Sequence, residues 1–340
     1  MNDSHFFYVV FNGQDGPIWK DFPNGYNSIC TQDLTKYPND IEVVSSPLYY
    51  LPKFIRFLYG LHISERTNKY FKLPFKSIWY PLYFKSKKQK KKPFCFVFLS
   101  KLDVGYMGFL KKKYPNSKTV VLLRDIFSTK PDFMQVFHEH SELFDLWMSF
   151  DQQESLNYSM LHFDEFESKI HVPKSNNYPL SDVFFAGQAK DRLPRLLKAY
   201  EILTKAGLKC SYYLTGVPDK DRVELPGVVY SDRFMPYSEM LYHTVNARCV
   251  LEINQEKAVG YTSRFLEAVM FNKLLISDNK SVKESIFYNP DYIQIIDDVN
   301  NIDPLFVNRI EQIDFDYKDE FSPVHLVKKI DKELTKNHEL

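Results

Sequence analysis

What this chain lacks narrows the reading first. Its 340 residues include only 11 Gly, too few for long glycine-rich phosphate loops, and only 4 Cys. Cys30, Cys95, Cys210 and Cys249 lie far apart and form no CxxC pair. That spacing excludes a disulfide framework and a sulfur-rich zinc site together, leaving reduced, mostly buried thiols. No stretch approaches the roughly 18 consecutive apolar residues of a membrane span. The start, MNDSHFFYVVFNG, has neither the basic opening nor the long apolar core of a secretory signal, so the expected location is the cytoplasm. Neither charge sign prevails: 44 Lys+Arg against 43 Asp+Glu leave a formal net charge of +1, so the chain as a whole does not select nucleic acid as a partner. No internal repeat of solenoid length occurs.

What is present is ordinary globular composition, 44% hydrophobic and 26% charged, over a length that supports two cores. Short apolar runs recur at Phe6 to Phe11, Ile41 to Val44, Phe94 to Leu99, Thr119 to Leu123 and Leu146 to Phe150. They read as buried parallel strands, separated by amphipathic pieces such as Tyr106 to Tyr114 and Asp132 to Leu143. Asp151 suits an N-cap. Pro, Asn and Ser cluster between 173 and 182, where a linker is expected. Beyond it the alternation resumes, with strands expected at 182 to 186, 209 to 214, 228 to 230, 249 to 253, 274 to 276 and 292 to 296. Helices are expected at 193 to 206, 237 to 246, 262 to 271, 301 to 313 and 322 to 336. The fold class is therefore α/β: two Rossmann-like doubly wound domains facing a cleft, over 1–172 and 181–320, with a C-terminal helix in 321–340 packing back across them. Ligands in such sheets sit at the carboxyl ends of the strands.

Three segments could bind an anionic ligand there. KAVGYTSRFLEAVMFNKLLISDN, residues 257–279, runs from a strand end through a loop containing Gly260 and Tyr261 into a helix beginning near Thr262. The first N–H groups of a helix lack partners and its dipole is positive there, so a diphosphate suits this turn. Thr262 and Ser263 offer hydroxyls and Arg264 a charge, while Glu267, one turn after Ser263, could accept both hydroxyls of a ribose. The plainer reading is that Thr262 caps a helix, Arg264 is solvated and Glu267 pairs with a cation. SDVFFAGQAKDRLPRLL, residues 181–197, is a strand ending at Gly187 and a loop carrying Lys190 and Arg192. VVYSDRFMPYSEML, residues 228–241, places Phe234 and Met235 in a loop that could hold a nucleobase, or that simply joins a strand to a helix.

In that order, the three segments resemble the C-terminal, nucleotide-sugar-binding half of GT-B glycosyltransferases, especially bacterial enzymes that build surface polysaccharides. The resemblance covers about 181 to 290 and is most specific in GYTSRFLEAVMFNKLLISDN, residues 260–279. It implies that Glu267 binds ribose and that Arg264, with Lys190 or Arg192, binds diphosphate. Many retaining members have an acidic residue eight positions before that glutamate; here Val259 stands there, with Glu256 nearby, so the paired-glutamate motif is absent.

The N-terminal half matches less specifically. FNGQDGP, residues 11–17, puts Asp15 beyond the first strand, where some inverting GT-B enzymes carry a general base; an Asx turn between two glycines is the alternative. Asp125, in VVLLRDIFSTK, is a second candidate base, or a loop-fixing carboxylate. His138 and His140 lie two apart on an expected helix and point away from one another, against a joint metal site. The Asp-x-Asp pairs 219/221 and 314/316 follow no strand in the right place and read as surface acids. No metal and no cofactor are therefore expected. Between Glu65 and Asp103 there is no acid but 11 Lys+Arg, six of them in Lys85 to Lys92. Aromatics precede that run, and within the basic aromatic segment 66–101 Phe71, Phe75, Ile78 and Leu82 fall at helical spacing, which suits an anionic membrane surface. A lysine-solvated loop over core aromatics is the alternative.

The resulting expectation is a metal-independent glycosyltransferase that moves a sugar from a UDP-linked donor to a growing, lipid-linked bacterial surface glycan, peripheral at the inner membrane face. The alternatives are a sugar-nucleotide epimerase on the same scaffold and a nonenzymatic protein docking on membrane or nucleic acid.

Overall fold

The computed structural model describes residues 4–11, 26–44, 52–63, 74–84, 91–99, 102–173, 175, 177–255, 260–309 and 312–336. They build two compact units: one of Met1–Asp15, Thr31–Phe163 and Val324–Leu340, the other of Gly16–Cys30 and Asp164–Pro323. From Val324 on, the helix Pro323–Thr335 belongs to the first unit, where the Asp331 carboxylate accepts from the Tyr8 hydroxyl at 2.7 Å and from the His5 N–H at 3.0 Å. The short helix Tyr26–Cys30 belongs to the second, where the Tyr26 ring meets that of Tyr237 edge-on at 4.8 Å.

The first unit holds a parallel sheet of β1 (Phe7–Phe11), β2 (Ile41–Val44), β3 (Phe94–Phe98), β4 (Lys118–Leu123), β5 (Leu146–Ser149) and β6 (Leu161–His162), in the order β2-β1-β3-β4-β5-β6. The second holds another six-stranded parallel sheet, of β7 (Ser181–Gln188), β8 (Cys210–Thr215), β9 (Val228–Ser231), β10 (Ala247–Glu252), β11 (Leu274–Ser277) and β12 (Ile293–Ile295), ordered β12-β11-β10-β7-β8-β9, with two strands beyond β7 where the first sheet has only β2 beyond β1. The central strands are apolar almost throughout because helices cover both faces of such a sheet. In the second unit Val183, Phe185, Leu251 and Ile276 face the helix Leu193–Lys205, and Val250 and Leu275 face the helix Ser263–Met270.

Local signals set the helix starts. Asp103 and Asp151 cap their helices by accepting from the N–H groups of Tyr106 at 3.2 Å and Glu154 at 2.8 Å. Two expected elements differ. Among the described residues of 301–313 there is no long helix: Asp298 caps a single turn at Val299–Asn301, Pro304 cannot continue a hydrogen-bonded helix, and of those described only Phe306–Arg309 is α-helical. The helix expected over 132–143 ends at Glu139, and Ser141–Leu143 is a separate turn. Among the described residues no helix is long and apolar enough to cross a membrane, and all four cysteines are buried, with no disulfide between them.

Candidate functional site

In the second sheet the chain runs outward from β7 to β9, then returns to place β10 on the other side of β7. The crossovers leave β7 and β10 in opposite directions, opening a crevice at their carboxyl ends. A pocket of about 280 Å³ lies there, lined by residues of β7 and β8 (Ala186, Gly187, Gln188, Tyr213, Thr215), the loop after β9 (Phe234, Met235), and Arg192, Met240, Gln255 and Arg264.

Its charge comes from two arginines. Arg192 is 7% exposed and bridges the strands where they part, donating from Nε and Nη2 to the Gln188 carbonyl at 3.0 and 2.8 Å and from Nη1 to the Ile253 carbonyl. Burial, and then repulsion from Arg264, lowers its pKa to about 10, so it stays charged at neutral pH. Arg264, in the first turn of the 263–270 helix, donates from Nη2 to the Ala186 carbonyl. Both guanidiniums lie 5.3 Å over the Phe185 ring. Among the described residues neither has a carboxylate in ion-pair contact, whereas the adjacent Arg195 is paired with Asp278 at 3.0 Å. Two like charges held together without a carboxylate partner make a site for an anion.

Gly187 makes this approach possible. A Cβ at that position would stand 2.8 Å from Nη2 of Arg264 and 3.2 Å from Nη2 of Arg192. The Thr215 hydroxyl is buried beside the same pocket with no partner among the described residues, and a buried hydroxyl that faces a pocket is satisfied by whatever fills it. On the opposite wall Phe234 is exposed; its loop is fixed by the Tyr213 hydroxyl donating to the Arg233 carbonyl at 2.9 Å. Lys190 stands outside the lining, exposed, with Nζ donating to the Gln255 side chain at 3.0 Å.

The rest of the 260–267 turn is committed elsewhere. The Thr262 hydroxyl donates to Glu252, as does that of Ser277, so Thr262 makes no side-chain cap and does not face the pocket. Gly260 has φ +97°, a conformation natural to glycine, and its carbonyl accepts from Asn279 Nδ2 at 2.8 Å. Tyr261 packs on Phe265 at 5.0 Å, and Ser263 opens the helix without lining the pocket. Glu267, expected to hold ribose hydroxyls, is 1% exposed and sealed from the pocket. Its oxygens accept from Tyr237 at 3.1 Å and Thr244 at 3.4 Å. Desolvation raises its pKa to about 7 against the opposing pull of Arg264. The reason is local: only the first turn of the helix, Ser263 and Arg264, reaches the surface, and every residue from Phe265 to Met270 is buried.

Of the sequence candidates, the structure thus gathers Gly187, Arg192, Phe234, Met235 and Arg264 around one pocket and leaves Lys190, Gly260, Tyr261, Thr262, Ser263 and Glu267 off its wall. Ala186, Gln188, Tyr213, Thr215, Met240 and Gln255 were missed. For β8 the signal exists in the register, which sets Gln188 opposite Thr215 at the strand ends. In the first unit Asp125 is exposed and paired with Lys130 at 3.1 Å. Asp15, Glu256 and Val259 lie outside the described residues. Asp219 pairs with Arg222 at 2.9 Å and Asp316 with Lys318 at 2.7 Å, and among the described residues no three His, Cys, Asp or Glu are grouped to hold a metal.

No family model matches the chain, and no curated protein does. Solved structures do. An alpha-glucosyltransferase (AGT) in complex with UDP is 13% identical, covering 97% of this chain and 99% of its own, with a TM-score of 0.53. An apo structure of OtsA is 11% identical over 97% and 99%, with a TM-score of 0.53. A trehalose-6-phosphate synthase, OtsA, is 9% identical over the same shares, with a TM-score of 0.51. At such identities the likeness is one of architecture, and with its two six-stranded parallel sheets this chain has the two-domain α/β fold of the GT-B proteins.

Proposed function

We propose that this protein is a glycosyltransferase that takes a sugar from a nucleotide diphosphate donor, UDP-linked, bound in the pocket at the β7/β10 crevice. One observation carries the reading: two guanidiniums, unpaired with carboxylates among the described residues, meet beside a side-chain-free glycine at the topological switch point. The fold likeness to a UDP-bound alpha-glucosyltransferase agrees with it.

In this reading the nucleobase lies against Phe234, Met235 and Met240 and the diphosphate against Arg264, with Arg192 adding field from behind. Breaking the anomeric C–O bond leaves a full extra charge on the diphosphate. A hydrogen bond to a charged group contributes roughly 1.5 to 3 kcal/mol, and more when it is aimed at charge that grows along the reaction. Cations of this kind stabilise the leaving group directly, which is why we propose transfer without a metal or cofactor. Arg192 commits three of its five N–H donors to two backbone carbonyls, so we assign it to fixing the crevice and supplying charge, and Arg264, which commits one to the Ala186 carbonyl, to reaching the ligand. Glu267 then acts by positioning: its buried carboxyl sits in the field of Arg264 and anchors the helix to Tyr237 and Thr244.

An acceptor hydroxyl needs a base, and Asp15 and Asp125 remain the proposed carboxylates, with a growing, lipid-linked surface glycan as acceptor. Asp15→Asn and Asp125→Asn separate them: the base variant keeps donor affinity and loses about 10² to 10⁴ in transfer rate. Calorimetry with UDP, GDP and UDP-glucose tests the donor site. Wild type is expected to bind a uridine ligand, and unchanged affinity in Arg264→Ala would remove the site from the proposal. Product analysis without acceptor distinguishes transfer from epimerisation.

A further inference from the structure

The first unit carries a surface for which the donor pocket has no use. The helix Lys53–Ile63, KFIRFLYGLHI, turns Tyr59 inward, while Phe54 and Phe57, one turn apart, are 71% and 62% exposed. Beside it run the turn Lys76–Trp79 and the helix Tyr80–Tyr83. The Tyr59 ring lies 5.4 Å from that of Trp79 and 5.9 Å from that of Tyr83, and His62 Nε2 is 3.0 Å from the Pro74 carbonyl. On this neighbour Phe75, Ile78 and Leu82 point outward, at 76%, 59% and 49% exposure.

Six of the thirteen large apolar side chains exposed among the described residues, Ile55 included, therefore come from two elements packed together. Scattered exposed leucines need no explanation; a cluster does. Loose folding does not account for it, because Tyr59, Trp79, Tyr80 and Phe84 on the inner side are all buried. Phe75 even holds φ +64°, where a bulky residue is disfavoured, with its ring in solvent. The charge is equally one-sided. In sequence, residues 43–102 contain 13 Lys+Arg and a single acid, Glu65, in a chain whose net charge is only +1; eight of those cations lie outside the described residues, and of the described ones Lys76 is paired with Asp103 at 2.8 Å and Lys92 with Asp40. Lys53 and Arg56 share the helix with the two phenylalanines.

We infer that this face docks on an anionic lipid bilayer. The rings of Phe54, Phe57 and Phe75, with Ile78 and Leu82, settle at the boundary between headgroups and acyl chains, and Lys53, on the same helix as two of those rings, meets the negative headgroups. The aliphatic members of the cluster offer nothing for bases to stack on, which disfavours nucleic acid. A second copy of the same face would meet it with like charge. Of the lysine run that suggested membrane binding in the sequence, Lys92 is engaged by Asp40 at 2.9 Å, and Lys85 to Lys90 lie outside the described residues, so the described contact surface is the apolar one.

The test is flotation of the full chain with vesicles of phosphatidylcholine alone and of equal parts phosphatidylcholine and phosphatidylglycerol. Wild type is expected to float with the anionic vesicles and to detach as salt rises. The triple variant Phe54→Ser/Phe57→Ser/Phe75→Ser should bind at least about tenfold more weakly, since each ring withdraws apolar area from water. Its melting temperature and UDP affinity should match wild type. Equal binding to neutral vesicles overturns the inference. So does a triple variant that floats as wild type does, or a solution dimer that this variant disperses in the absence of any vesicle binding. Flotation of a wild type that fails to bind UDP supports the docking surface while striking only the donor reading, so the two fail separately.

Discussion

Both sheets are parallel and each reverses its winding once, between β1 and β3 in the first and between β7 and β10 in the second, but one strand lies beyond β1 and two beyond β7, and the two switch points carry different chemistry. In the first, β1 and β3 part at Phe11 and Phe98, whose rings stack at 4.7 Å with 11° between their planes. In the second, β7 and β10 part at a guanidinium that bonds Gln188 on one side and Ile253 on the other. Among the described residues the first switch point carries a stacked aromatic pair, while the second is braced by a charge beside a pocket. A doubly wound sheet provides a switch point in either case, but the residues at the strand ends decide which ligand chemistry it can offer.

This contrast can be broken from both sides. The largest expected effect is in the first unit: Phe98→Ala should cost about 3 to 5 kcal/mol of stability, read by denaturant unfolding, and leave nucleotide affinity of the folded protein unchanged. Altered affinity there would mean that the first switch point is also a donor site. Next comes Arg192→Ala, which leaves the Gln188 and Ile253 carbonyls without their donor in a buried setting. A loss of about 2 to 4 kcal/mol is expected, together with weaker nucleotide binding. Arg264→Ala should spare stability and lower uridine-nucleotide affinity by roughly 10- to 100-fold in calorimetry, with Arg264→Lys intermediate because it keeps the charge and loses the fork. Gly187→Ala should displace the same guanidinium and weaken binding by several-fold, about half the free-energy effect of removing it.

The smallest effect concerns pH. Glu267 has its folded pKa raised from 4.5 to about 7 by burial, so the folded state favours the protonated form. Its stability contribution is full below about pH 4.5 and is lost as pH rises towards 7. Glu267→Gln should therefore match wild type near pH 4 and melt higher than wild type at pH 8. A melting difference that does not change with pH would show Glu267 to be ionised in the fold throughout, as an ion partner of Arg264.

Much of this plan is legible in the residues. Runs such as VVLL and LLIS are too apolar for anything but a strand covered on both faces, and Gly187, Arg192 and Arg264 stand out as a small residue and two cations at strand ends. Other features are not legible, for identifiable reasons. SRFLEAVM has the spacing of an amphipathic helix, which suggests a wet face at Glu267 as well as Arg264; only packing against the sheet and against Tyr237 and Thr244 shows that Glu267 is covered. Thr262 reads as a cap until β10 and β11 bring Glu252 and Ser277 to its hydroxyl. Met240 and Tyr213 carry no local signal of a site at all.

By itself the sequence determined the α/β class, the strand series and the cations at the ends of strands, since burial on both faces and helix starts are written in spacing over a few residues. Which carboxylates are sealed, which hydroxyls are spent inside, and which rings are left in water were settled by the tertiary structure alone. Those outcomes depend on residues tens of positions apart meeting across neighbouring strands, where strand order rather than local pattern chooses the partners.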